Sequence, residues 1–219
     1  MVGDRIIRFD RAERYLHWVN AALVLAIMTT GAVLYFGPLS AVVGRRHLMK
    51  EVHVWCGVLL PLPVVAVLAG RWREGFRRDV ARLSRWTRDD ATWLRSRGRS
   101  SAVRRGKFNG GQKLNALFIA GVLPVMLLSG SIMRWFSPFP DSWRTGATFV
   151  HDLGAFGVWI VVTGHIVKAV GEPEQLRAMW SGWVPVAWAR DHRPRWFEAV
   201  VGPGADGPGS DEPPSGPGR

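Results

Sequence analysis

The sequence predicts an all-α fold, an integral membrane bundle of four helices with a large basic loop on one face. Three observations predict it. Residues 18–43, 52–70, 114–133 and 145–167 are apolar and free of Lys and Arg, and each reaches the roughly 17 to 25 residues that cross about 30 Å of hydrocarbon. The cations of this 219-residue chain gather between and beside those stretches, giving a net charge of +12. Four histidines, His17, His53, His151 and His165, lie in or at the edges of three of the four stretches.

The cation distribution sets the orientation, because short segments rich in Lys and Arg stay on the cytoplasmic side. Arg5, Arg8, Arg11 and Arg14 precede the first span, and the segment 71–107 after the second holds 13 Lys or Arg against 4 Asp or Glu. Both belong inside. The connections carrying Arg45, Arg46 and Lys50, and Arg134 and Arg144, have fewer cations and fall outside. With four spans, both termini are cytoplasmic. Topology and contact with anionic lipid account for the basic charge, so nucleic acid is not an expected partner. The first span exceeds a signal-peptide apolar core and no small-residue cleavage site follows it, so it is expected to remain as helix one.

The charged segments also account for a mean hydropathy only slightly above zero. Within the inner loop, Thr87-Arg88-Asp89-Asp90 reads as a helix start, with acids in the first turn. Trp86, Trp93 and Leu94 would then rest in the headgroup region on an interfacial helix. No internal repeat is evident. Residues 1–170 are expected to form one membrane domain, 171–201 a cytoplasmic juxtamembrane segment, and 202–219, dominated by Gly, Pro, Ser and Asp, a disordered tail.

The histidines carry the chemistry. Helix one runs outward, placing His17 near the inner face; helices two and four run inward, placing His53 and His151 near the outer face and His165 near the inner. Fourteen residues separate His151 from His165, nearly four turns or about 21 Å along one helix face. Gly31 lies the same fourteen residues beyond His17, and Gly57 and Gly154 lie about one turn from His53 and His151; missing side chains there would admit a flat macrocycle. Ionisable groups in hydrocarbon are costly and mark function. Two pairs matched by depth read as axial ligands of two haems, although any one histidine alone reads as a packing residue. Zinc fits less well, because two histidines per level supply neither four structural nor three catalytic ligands. His47 and His192 fall outside the set. The single Cys56 excludes an intrachain disulfide, a cysteine-ligated cluster and covalent haem attachment, so any haem is b-type.

The segments Arg14-Tyr15-Leu16-His17-Trp18, His53-Val54-Trp55-Cys56-Gly57, Val150-His151-Asp152-Leu153 and Gly164-His165, with Gly106-Lys107-Phe108-Asn109-Gly110-Gly111-Gln112-Lys113 at the start of helix three, resemble the cytochrome b (gamma) subunit of respiratory formate dehydrogenases, within the di-haem cytochrome b561-like group. The resemblance runs from about Arg8 to Val170. It implies an electron-transfer subunit in the cell (inner) membrane, with an outer-face iron-sulfur subunit and a molybdopterin catalytic subunit as partners. Electrons would pass from the outer haem (His53, His151) to the inner haem (His17, His165) and on to menaquinone. It also implies that Asn109, Gly111 and Gln112, beside His165, help form the quinone pocket. Asn109 and Gln112 read equally as a helix N-cap and its reciprocal partner. Asp152 is placed at the subunit interface, and Arg14, Arg46 and Arg134 are candidates for the haem propionates. Two other readings remain open: the cytochrome b of a hydrogenase, a thiosulfate-type reductase or a stand-alone quinol oxidase, and a haem-free anchor or transporter.

Overall fold

The computed structural model describes residues 4–99 and 105–202. A short strand β1 (Arg5–Ile7) leads into α1 (Arg11–Tyr35), which starts where it does because Asp10 and Glu13 form a capping box. Asp10 Oδ1 accepts from the Glu13 amide at 2.8 Å, and Glu13 Oε2 accepts from the Asp10 amide at 2.7 Å, satisfying two free donors of the first turn. The helix therefore begins seven residues before the expected apolar boundary. It also ends earlier than the expected residue 43. Phe36 turns to extended backbone ahead of Gly37-Pro38, and a separate short helix α2 (Gly37–Val43) follows, closed by Gly44 in the left-handed region at φ 64°.

The second span is α3 (Arg46–Leu59) followed by α4 (Leu62–Ala69). Pro61 separates them: it has no amide hydrogen, and its ring excludes it from the Gly57 carbonyl, which accepts from Leu60 instead at 3.3 Å. After the second span come α5 (Arg73–Ser84) and α6 (Arg88–Arg95). The expected helix start at Thr87 is present, with Thr87 and Asp90 forming a capping box. The last two spans are α7 (Gly110–Arg134) and α8 (Asp141–Val170). Helices α1, α3 with α4, α7 and α8 are long and apolar enough to cross a membrane.

Pairing organises the bundle. Helix α1 packs closely along α3, and α7 along α8, with lighter contact between α3 and α7. Among the described residues neither α1 nor α3 packs closely on α8. The two hairpins thus leave a separation between α8 and the first pair.

Residues 171–201 are not a plain tail to the bundle. After α9 (Pro173–Ser181), strand β2 (Trp183–Pro185) pairs antiparallel with β1, with Ile6 opposite Val184. Helices α10 (Val186–His192) and α11 (Pro194–Val201) follow. Ile6, Ala178, Val184, Ala189, Trp196 and Phe197 form a buried core, so the two ends of the described chain fold together. Gly182 closes the turn: its φ of 88° suits glycine, and a Cβ would stand 2.8 Å from the Phe9 carbonyl oxygen, which leaves no room for any other residue. This unit is tied to the N-terminal part of α1, where Trp18 donates to the Met179 carbonyl at 3.0 Å and stacks on Trp180 at 4.0 Å. Among the described residues the regular structure is helical apart from this two-stranded pair. The expected disordered tail from 203 onward lies outside the described residues.

Candidate functional site

The structure brings the four histidines together in two pairs. His17 of α1 faces His165 of α8 with ring centroids 6.1 Å apart, and His53 of α3 faces His151 of α8 at 6.2 Å. Both pairs span the separation between α8 and the first hairpin, where the backbones are not closely packed among the described residues. His17, His53 and His151 are half-buried and His165 is exposed.

These separations suit a metal between the rings. Metal–imidazole bonds of about 2.0 to 2.1 Å, with the radius of each ring added, put two axial centroids about 6 Å apart. Direct hydrogen bonding between the imidazoles would draw them closer, to a nitrogen–nitrogen distance of about 3 Å. Open space accompanies the pairs, since nothing lies within 4 Å of a Cβ built on Gly57 or Gly164. No third His, Cys, Asp or Glu joins either pair among the described residues, which fits a group that fills its remaining coordination positions itself, as haem does. Arg134 Nε, at the C-terminal end of α7, is buried without a hydrogen-bond partner, although its Nη2 lies 3.7 Å from Glu51 Oε1; a haem carboxylate would suit the free Nε.

His53 and His151 are held by matching surroundings. His53 Nδ1 lies 3.2 Å from Thr30 Oγ1 and 3.1 Å from the Ile27 carbonyl oxygen on α1. His151 Nδ1 lies 3.1 Å from Ser129 Oγ on α7. In each case the residue after the hydroxyl is glycine, and a Cβ on Gly31 or Gly130 would come within 3.2 Å of the ring Cε1. Gly31 thus makes room for the edge of His53, rather than directly for a macrocycle. Gly154 has another role than expected: a Cβ there would meet Met126 Sδ at 2.5 Å, so this glycine admits α7 against α8. Sequence reasoning missed Thr30, Ser129 and Gly130; the available signal was the repeated hydroxyl–glycine dipeptide.

At the start of α7, Asn109 Oδ1 accepts from the Gln112 amide at 2.9 Å, and Gln112 Oε1 accepts from the Asn109 amide at 3.0 Å. The cap occupies both side-chain oxygens. It leaves the side-chain NH2 groups without hydrogen-bond partners among the described residues. Gly111 supports packing, because a Cβ there would come 2.7 Å from the ring of Trp93. Trp93, expected in the headgroup region, therefore packs on the start of α7. A cavity of about 210 Å³ opens beside this corner, with Arg85, Trp93, Lys107, Asn109, Lys113 and Arg195 on its wall.

Two buried lysines fix the same corner. Lys107 Nζ donates to Glu13 Oε1 at 2.6 Å and also to Asp79, joining α1 to α5. Lys113 Nζ donates to Asp90 Oδ2 at 2.6 Å and to the Arg85 carbonyl at 2.7 Å, holding α6 to α7. Burial works to raise the Asp79 carboxyl, but hydrogen bonds from Glu13 and Lys107 and the charge of Lys107 outweigh it and hold the group below the usual range.

The other candidates are placed as follows. Arg14 donates to the Trp180 carbonyl. Arg46 donates to the Leu34 carbonyl at 2.9 Å and to Ser40 at 3.1 Å, capping the end of α1. Both are engaged by protein. Asp152 and His47 are exposed, and His192 stacks on Trp188 at 5.0 Å, far along the chain from either pair.

Comparison with known proteins gives a consistent picture. The model of a family described as prokaryotic cytochrome b561 matches residues 8–182. The cytochrome b556(fdo) subunit of formate dehydrogenase from Escherichia coli strain K12 is 27% identical over 209 residues, covering 90% of this chain and 94% of that protein. The formate dehydrogenase cytochrome b556 subunit of Haemophilus influenzae is 27% identical over 206 residues, covering 90% and 84%. The nitrate-inducible cytochrome b556(Fdn) subunit of Escherichia coli strain K12 is 20% identical over 203 residues, covering 89% and 91%.

Proposed function

Since the chain belongs to the prokaryotic cytochrome b561 family, we propose that it is the di-haem cytochrome b subunit of a respiratory formate dehydrogenase, seated in the inner membrane with both termini cytoplasmic. The observation that carries this reading is the pair of imidazole couples facing across one gap, 6.1 and 6.2 Å between centroids. The names of the similar proteins, formate dehydrogenase cytochrome b556 subunits, support the choice of complex.

His53 and His151 would hold the outer haem, and His17 and His165 the inner one. When bound, two b-type haems in series supply one-electron transfer between an outer-face iron-sulfur subunit, served by a molybdopterin catalytic subunit, and menaquinone at the inner face. The chain's own residues do the rest. Imidazoles on separate hairpins fix each ring where iron is to sit. Asn109 and Gln112 direct amide donors toward a quinone carbonyl while their oxygens cap α7, and His165 lies on the same inner side. Gly111 contributes by seating Trp93 against the helix start.

A pyridine haemochrome assay on the purified, fully loaded chain tests the central point, with two haems per chain expected. His53→Ala and His151→Ala should lose the same spectral component, and His17→Ala and His165→Ala the other. One haem per chain, or loss of a common component from His17 and His53 variants, overturns the pairing. Formate-driven haem reduction in the intact complex tests the partner assignment.

A further inference from the structure

The two outer imidazoles sit in twin sockets that nothing so far assigns a role. Each socket is one hydroxyl residue followed by glycine on the first helix of a hairpin, receiving a histidine from the second helix. On α1 these are Thr30 and Gly31, which receive His53; on α7 they are Ser129 and Gly130, which receive His151.

The hydrogen bonds fix the direction of donation. Thr30 Oγ1 lies 2.7 Å from the Ala26 carbonyl, and Ser129 Oγ lies 2.7 Å from the Val125 carbonyl. A hydroxyl has one hydrogen, and in each socket it goes to that carbonyl. The oxygen lone pairs are then left for the imidazole, so Nδ1 must carry the proton and donate. The Ile27 carbonyl at 3.1 Å from His53 Nδ1 imposes the same condition. Both outer rings are thereby held as the Nδ1–H tautomer, with Nε2 bare for a metal.

The inner pair differs. Among the described residues, neither His17 nor His165 makes a ring-nitrogen hydrogen bond. A ligating imidazole that donates its other N–H to oxygen becomes a stronger electron donor and favours the ferric state. We propose that Thr30 and Ser129 are positioning residues that lock the outer axial imidazoles and hold the outer haem at a lower potential than the inner one, so that the gradient between them drives electrons inward. This rests on the di-haem reading above.

The test is a potentiometric titration of the haem α-bands in the purified chain, with low-spin haem EPR in parallel. His53→Ala identifies which component is outer. In the parent, that component should titrate at the lower potential. Thr30→Val and Ser129→Ala remove the hydroxyl acceptor with little change in volume, while the Ile27 carbonyl stays on His53; each should shift the outer component upward and leave the inner one in place. The expected change is about three-fold to ten-fold in its ferric-to-ferrous ratio, about 30 to 60 mV at 59 mV per tenfold for one electron. Thr30→Ser and Ser129→Thr should restore the parental potential and EPR signal. Two haems per chain with unshifted potentials in both acceptor-deleted variants would overturn the sockets' role. An outer component above the inner one in the parent would overturn the ordering. Fewer than two haems in the parent would instead defeat the di-haem reading itself.

Discussion

Replacing Asn109 by Asp separates two jobs that the same side chain performs. Its Oδ1 accepts from the Gln112 amide at 2.9 Å and so caps α7, whereas its NH2 group has no partner among the described residues and is the donor proposed for a quinone. Aspartate keeps an acceptor in the same place, and its charge at a helix N-terminus adds about 0.3 to 1 kcal/mol of favourable interaction, offsetting any loss of cap geometry. It has no hydrogen to give. A quinone carbonyl deprived of one donor in a largely dry pocket loses about 1 to 3 kcal/mol, which weakens binding roughly five-fold to a hundred-fold. Asn109→Ala should show the same quinone defect together with a loss of stability of about 1 kcal/mol from the missing cap. Gln112→Glu should parallel Asn109→Asp, since the Asn109 amide still finds an acceptor there. The assay is reoxidation of pre-reduced haem over a titration of a menaquinone analogue, with thermal unfolding measured on the same samples. Parental quinone affinity in both carboxylate variants would refute the argument and leave Asn109 and Gln112 as caps alone.

The remaining predictions concern the corner at the start of α7 and the topology. Lys107→Met leaves Glu13 and Asp79 facing each other without their cation, and should cost about 3 to 5 kcal/mol at neutral pH, read as a fall in unfolding temperature. Because the folded-state Asp79 carboxyl lies below its ordinary value, the stability it contributes is present above about pH 4 and is lost as pH falls through the folded value; Asp79→Asn should flatten that acid limb in a pH series of melting curves. Gly111→Ala, whose Cβ would stand 2.7 Å from Trp93, should destabilise the α6–α7 contact by about 1 to 3 kcal/mol and free Trp93, seen as a change in tryptophan fluorescence. In a Cys56→Ala background, an impermeant thiol reagent applied from outside should label cysteine placed at Ser142 and not at Thr92; the reverse pattern would exchange the inner and outer faces.

The existence of the spans was legible because hydropathy summed over twenty residues overwhelms local detail. Their ends were not, because single side chains set them. The Asp10–Glu13 box carries α1 into charged sequence, and Pro38 and Pro61 interrupt stretches that composition alone reads as continuous. The histidine pairs were visible through a fourteen-residue spacing, a purely helical quantity. The folded unit that joins the two ends of the described chain was hidden for the opposite reason. Ile6 meets Val184 from the far end of the chain, and a two-stranded pair of three residues each leaves no periodicity to detect. Thr30 and Ser129 were also concealed, since a hydroxyl in an apolar helix ordinarily bonds back to the carbonyl four residues earlier. Both do so here, and use the remaining lone pairs for histidine.

The sockets expose a partial twofold relation that the sequence does not show as a repeat. Helices α1 and α3 correspond to α7 and α8: hydroxyl and glycine on the first helix, outer histidine on the second. The correspondence stops at the inner level. His17 lies fourteen residues before Gly31, but the position fourteen before Gly130 is Ala116; His165 lies fourteen after His151, but the position fourteen after His53 is Val67. A complete duplication would supply four inner imidazoles where one iron takes two. The retained pair comes from the first helix of one hairpin and the second of the other, so the inner imidazoles cannot share equivalent surroundings as the outer ones do. Without an inner histidine, the start of α7 is free for other chemistry. Its first turn instead presents the two amides of Asn109 and Gln112, held by Lys107 and Lys113 against the inner loop. On the proposed topology, the broken symmetry separates an outer end built around matched imidazoles from an inner end where a hydrogen-bonding acceptor would meet the bundle.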